Sequence, residues 1–243
     1  MKTIGLLGGM SWESSVTYYQ VINRAVQAHM GGLHSGKILF YSVDFAEVEV
    51  CQAREDWDGA AEILAEGAKR LERGGADCLV ICTNTMHVVA PQIQGQITIP
   101  LLHIAEATAE ALQEGHIGRV ALLGTKYTME KDFYRQKLED AGLEVLLPEE
   151  AERTTINDVI FKELCRGILS PASKEAFLGI IHNLGRRGAQ GVILGCTEIG
   201  RLVQQADSAL PLFDTAEIPA PKAAAPALAG GLCLPPPIPV ANT

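Results

Sequence analysis

The sequence predicts an α/β fold of two pseudosymmetric domains, each a mostly parallel sheet with helices on both faces, and a ligand site in the cleft between them. Three observations carry this. Short apolar runs bounded by glycine alternate with longer stretches of helical periodicity, the pattern of parallel sheets covered by helices. The chain repeats itself internally. The reactive side chains of that repeat directly follow apolar strands, where open α/β sheets bind their ligands.

In order, residues 4–7 form the first strand, stopped by Gly8-Gly9, and residues 37–43 the second. Trp57–Arg73 reads as a helix because Ala61, Ile63, Leu64, Ala68 and Leu71 recur at roughly helical spacing. Cys78–Ile81 and residues 101–104 are the next strands, and 120–123, 143–147, 191–194 and 210–213 supply those of the second half.

At an offset of 116, Ile4-Gly5-Leu6-Leu7-Gly8 lies on Val120-Ala121-Leu122-Leu123-Gly124, and the same frame brings Tyr18 onto Tyr134 and Gln20 onto Gln136. At an offset of 114, Cys82-Thr83 lies on Cys196-Thr197, each preceded by an apolar strand and by a Gly-Ala pair, Gly75-Ala76 and Gly188-Ala189. The units are therefore drawn as 1–104 and 105–210, with the chain returning to the first at about 211–230. Residues 217–243 hold seven of the twelve prolines. Pro219, Pro221 and Pro226 would each cost a helix interior on the order of 3 kcal/mol, so residues 231–243 are expected to form an irregular proline-rich tail.

A formal net charge of −9 and a pI near 5.2, with no block of like charges, leave no basic footprint for nucleic acid or an anionic membrane. No run of eighteen apolar residues occurs, and the glycine-rich start is not a signal-peptide core, so a cytoplasmic location is expected. The six cysteines are scattered as reduced thiols are, and no second Cys/His pair accompanies Cys78 and Cys82, so no metal site is expected.

Cys82 and Cys196 both stand where a strand meets a helix start. A thiol acts as base or nucleophile only as thiolate, and helix N-termini and nearby donors lower its pKa from about 8.5. Thr83-Asn84-Thr85 offers such donors, and Thr197-Glu198 offers a hydroxyl and a carboxylate. If an approximate two-fold axis relates the units, the two thiols face one another across the cleft. One can then remove a proton from one face of a carbon while the other delivers a proton to the opposite face. Cys51, Cys78, Cys165 and Cys233 read as small buried hydrophobes.

The run Ile-Gly-Leu-Leu-Gly-Gly-Met-Ser-Trp-Glu-Ser (residues 4–14), Tyr18-Tyr19, Cys82-Thr83-Asn84-Thr85-Met86-His87 and Gly195-Cys196-Thr197-Glu198 resemble the aspartate/glutamate racemase superfamily, and most closely its bacterial broad-specificity amino-acid racemase branch. The resemblance runs through about residues 1–217. It implies a homodimer and racemisation of amino acids without metal or pyridoxal cofactor, with Cys82 and Cys196 as the two acid/bases. Met10, Gln52, Thr83, Asn84, Thr85, Thr125 and Thr197 would line the substrate site. Aspartate-specific relatives carry a lysine near residues 163–167, where this chain has Cys165 preceded by Lys162, which argues against strict aspartate specificity. Asp214-Thr215 is followed by Pro219 where relatives continue into an amphipathic helix. Aspartate, glutamate and homoserine-like substrates all remain open.

Arg54 reads either as a clamp for a carboxylate or as a solvated loop charge. His87 either tunes Cys82 or is satisfied near the sheet, and Trp12 and Trp57 either wall the cleft or pack as core. Gly8-Gly9-Met10 lacks the third glycine and the acidic partner of a dinucleotide-binding turn. Competing functions are an isomerase or decarboxylase of the same superfamily and a non-catalytic amino-acid-binding protein.

Overall fold

The computed structural model describes residues 1–218. The first unit runs β1 (Thr3–Gly8), α1 (Trp12–Met30), β2 (Lys37–Ser42), α2 (Phe45–Ala53), α3 (Trp57–Arg73), β3 (Cys78–Ile81), a 3₁₀ turn (Thr85–Val89) and α4 (Ala90–Gln94). The second follows through α5 (Ile104–Glu114), β4 (Arg119–Gly124), α6 (Lys126–Glu130), α7 (Asp132–Asp140), β5 (Glu144–Leu146), α8 (Glu150–Lys162), α9 (Pro171–Arg186), β6 (Gly191–Gly195), α10 (Ile199–Leu202) and β7 (Leu212–Asp214). The strands form two parallel sheets, ordered β2-β1-β3 and β5-β4-β6-β7.

Local chemistry accounts for the main elements. Every residue of β3 is buried, as expected of a continuous apolar run covered on both faces. In α3 the buried stripe Ala61, Leu64, Ala68 and Leu71 packs on the first sheet, Asp56 caps the start through Gly59 N–H, and Arg70 and Arg73 lie in the last turn. Three clusters make up the core. Leu7, Leu79 and Ile81 meet α3 on the outer face of the first sheet, and Leu123, Val192 and Leu194 meet α8 and α9 on the outer face of the second. Between the sheets, Leu6, Val80, Leu122 and Ile193 share one layer with Tyr18, Ile104, Leu112 and Tyr134.

Two elements differ from the sequence reading. Of the strand expected at 101–104 only Leu101 forms a bridge, to Leu79. The imidazole of His103 accepts a hydrogen bond from Ala105 N–H, caps α5 and turns the chain out of the sheet. The second unit, drawn to residue 210, extends further, because β7 completes its sheet beside β6. Hydrogen bonds to the first unit come at Thr215, whose hydroxyl accepts from Asn84 Nδ2 at 2.8 Å and whose carbonyl accepts from the Tyr18 hydroxyl at 3.2 Å. The tail at 231–243 and the proline-rich stretch from Pro219 lie outside the described residues.

Candidate active site

The joint between the units encloses a cavity with about 30 Å³ of water-sized space. The first unit contributes Thr83, Asn84 and Thr85 from the turn after β3, together with Met10, Ser11 and Gln52. The second contributes Thr125, Cys196, Thr197 and Glu198 from the ends of β4 and β6, and Ile160 and Cys165 from the end of α8 and the turn beyond it. Hydroxyls stitch the two walls together. Thr85 Oγ1 lies 3.0 Å from Thr125 Oγ1, and Ser14 Oγ lies 2.6 Å from Thr197 Oγ1.

The electrostatic centre is Glu198, which the sequence reading passed over as a site residue. Its Oε1 accepts from Ser11 Oγ at 2.8 Å and Ser14 Oγ at 2.7 Å, and its Oε2 from Cys196 Sγ at 3.0 Å and Thr197 Oγ1 at 2.9 Å. Burial by itself would raise this carboxyl's pKa, but the donors from Cys196, Ser14, Ser11 and Thr197 together hold it below its ordinary value. Ser11 is also the N-cap of the 19-residue α1, so the carboxylate faces a helix N-terminus. The Cys196 thiol is pushed well above its ordinary range, by burial first and then by the Glu198 charge. The resting pair is thus a neutral thiol donating to a buried carboxylate.

Eight of the residues singled out from sequence line this cavity: Met10, Gln52, Thr83, Asn84, Thr85, Thr125, Cys196 and Thr197. Two do not. Arg54 is exposed at the end of α2. Cys82 is fully buried in the layer between the sheets, its pKa raised by that burial.

The sheet register explains where Cys82 lies. Leu7 pairs with Ile81, and Leu123 with Leu194. Counted from those pairs Cys82 lies one residue further and Cys196 two, although the repeat aligns the cysteines with each other. A one-residue difference turns a side chain to the opposite face. Cys82 therefore joins Cys78 and Val80 in the middle layer, whereas Cys196 joins Val192 and Leu194 on the outer side.

His87 also lies outside the cavity wall. Its Nε2 accepts from Ile104 N–H at 3.2 Å, so Nδ1 carries the proton and donates to the Thr83 carbonyl at 2.8 Å. Burial, then neighbouring His103, lowers its pKa to about 3. A neutral His87 thus fixes the turn beside Cys82. Trp12 is exposed on a groove next to Thr197 and Glu198, and Trp57 packs edge-on to Tyr127 with ring centroids 5.4 Å apart. Cys78 is core as expected, Cys165 lines the cavity instead, and Cys233 falls outside the described residues. Ser11 and Ser14, both within the run quoted from the sequence, were not assigned to the site; Ser11 caps α1 by accepting from the Ser14 N–H.

Asn84 lines the cavity, and its amide oxygen Oδ1 is buried without a hydrogen-bond partner. Among the described residues no group of three His, Cys, Asp or Glu side chains is placed to hold a metal, and no helix is long and apolar enough to cross a membrane.

Comparison with known proteins places this geometry. The chain is 24% identical to the broad specificity amino-acid racemase RacX of Bacillus subtilis (strain 168) over 163 residues, 66% of this chain and 69% of that one. A crystal structure from Yersinia pestis assigned to the Asp/Glu racemases is 50% identical and superposes with a TM-score of 0.88, covering 94% of this chain and 100% of that one. An aspartate racemase homologue from Pyrococcus horikoshii OT3 is 37% identical, with a TM-score of 0.81 over 93% of this chain and 99% of that one. The profile of Asp/Glu/hydantoin racemases matches residues 7–223, which span both sheets and the whole cavity, and the chain belongs to that family.

Proposed function

We propose that this protein racemises free amino acids without a pyridoxal or metal cofactor, by proton transfer at Cα between two thiols, Cys196 and Cys82. The Cys196–Glu198 pair carries the reading, since a thiol beside an ionised buried carboxylate is an acid that can be turned into a base within the site. Glu198 accepts the Cys196 proton, the thiolate removes the α-proton from one face, and the Cys82 thiol delivers a proton to the other. The reverse direction exchanges the roles.

The hydroxyls of Thr83, Thr85, Thr125 and Thr197 face the α-carboxylate, where charge develops as the α-proton leaves. Asn84 Oδ1 accepts from the α-ammonium. A cavity of about 30 Å³ holds little more than a water, so admitting an amino acid requires its walls to move apart. Cys82 adjoins Thr83 of that wall, and this reading requires the thiol to reach the substrate when the walls part. The same reading includes a cytoplasmic homodimer.

The test is incubation with a panel of L-amino acids in heavy water without added cofactor, following α-deuteration and D-isomer formation. Cys82→Ser and Cys196→Ser are each expected to lower racemisation by about 10²–10⁴-fold. Unchanged turnover in Cys82→Ser would leave a one-thiol reaction, as in a decarboxylase. Binding without exchange for every amino acid would leave a binding protein, and conversion of a small dicarboxylate instead would leave an isomerase.

A further inference from the structure

The proton chemistry proposed above fixes where Cα lies, beside Cys196, and leaves the side chain to meet the remaining wall. That wall is largely apolar: Met10 and Phe45 stand with Gln52 on the first unit, and one stretch of the second adds Ile160 and Phe161 at the end of α8 and Cys165 in the turn beyond it. We propose that this wall and Glu198 select substrates with an uncharged, largely apolar side chain, and that aspartate and glutamate are poor substrates. The inference rests on the racemase reading and deepens it.

Charge decides the matter from both sides. Among the described residues lining the cavity there is no lysine, arginine or histidine, and the one charged group is the Glu198 carboxylate. Lys162, next in chain to Phe161, is held 2.9 Å from Asp158 on the exposed side of α8, and Arg54 is exposed outside the cavity. A side-chain carboxylate would therefore lose its water, meet no counter-charge and approach a buried anion. A side-chain cation fares little better, because both oxygens of Glu198 already accept two hydrogen bonds each from Ser11, Ser14, Cys196 and Thr197. Hydrocarbon or thioether against Ile160, Phe161 and the Cys165 thiol requires none of these compensations.

Leucine, asparagine and aspartate share a branch at Cγ and differ in polarity and charge, so they separate charge from shape. In the heavy-water assay on the full chain, kcat/KM for α-exchange is expected to be at least about 100-fold higher for leucine than for aspartate, with asparagine between them. Methionine should likewise exceed glutamate. Cys165 is only half-buried, which leaves room for a longer stem, so Cys165→Lys should raise kcat/KM for aspartate at least about 10-fold and lower it for leucine. Aspartate exchanging as fast as leucine in the wild-type protein would overturn the selection and leave the racemase reading intact. No exchange with any of these amino acids, nor with alanine, homoserine or lysine, would overturn the racemase reading and this inference together.

Discussion

A carboxyl group buried as Glu198 is would ordinarily take up a proton. Four donors and the start of α1 reverse that, and the price is that Cys196 remains a thiol at rest. Glu198→Gln is expected to lower the α-exchange rate by about 100-fold and to shift Cys196 alkylation to lower pH, because the repelling charge is gone; iodoacetamide labelling across pH reads the second effect. Asp214 is the contrasting case. It is partly buried, its side chain accepts from a single backbone donor, Ala216 N–H, and the burial pushes it up from 3.8 to about 6. The native state then binds more protons than the unfolded chain between pH 3.8 and about 6, so stability falls as pH rises through that window. Asp214→Asn is expected to be more stable than wild type by roughly 2 kcal/mol at pH 7.5 and equal to it below pH 4, measured by urea denaturation. The carboxylate beside Cys196 was legible in the sequence. Its donors were not, because Ser11 and Ser14 lie 187 and 184 residues away.

At the scale of elements, the sequence predicts well wherever a buried strand is a continuous apolar run. The ends of β4 and β6 show what such a run also requires. Gly124 pairs with Gly195, and a Cβ on Gly195 would lie 2.8 Å from the Leu123 carbonyl oxygen, a backbone atom held in the ladder. Gly195→Ala is expected to cost about 2–3 kcal/mol and to displace Cys196 next to it, so a lowered denaturation midpoint and lost activity should appear together. Gly179, inside α9 with open space around it, is the control, and Gly179→Ala should stabilise by about 0.5–1 kcal/mol. The expected strand at 101–104 illustrates the opposite case. Only Leu101 stays with the sheet, as a bridge to Leu79, and the His103 cap starts α5 at Ile104.

On the scale of the whole molecule, the two sheets are joined by a layer that includes α1, α5 and α7 and by polar contacts around the cavity. His87 and His103 sit at that joint with ring centroids 4.7 Å apart, and burial foremost lowers their pKa values to about 3 and about 4. Both are neutral when folded and titrate near 6.5 when unfolded. The stability they allow is complete above pH 6.5 and is lost as pH falls toward 4 and then 3. Two histidines outweigh the opposite trend of Asp214, so the denaturation midpoint should drop between pH 6.5 and 4.5, and less steeply in His87→Gln. By itself the sequence determined the α/β class and the duplicated unit, because apolar periodicity and strand-end motifs are local properties of the chain, while the cavity-wall residues were legible only through the family resemblance. Only the tertiary structure decided which face each cysteine occupies, that Glu198 is ionised, and that no cation among the described residues reaches the cavity. Those depend on sheet register and on groups far apart in sequence, and a difference of one residue in register was enough to turn Cys82 and Cys196 to different faces.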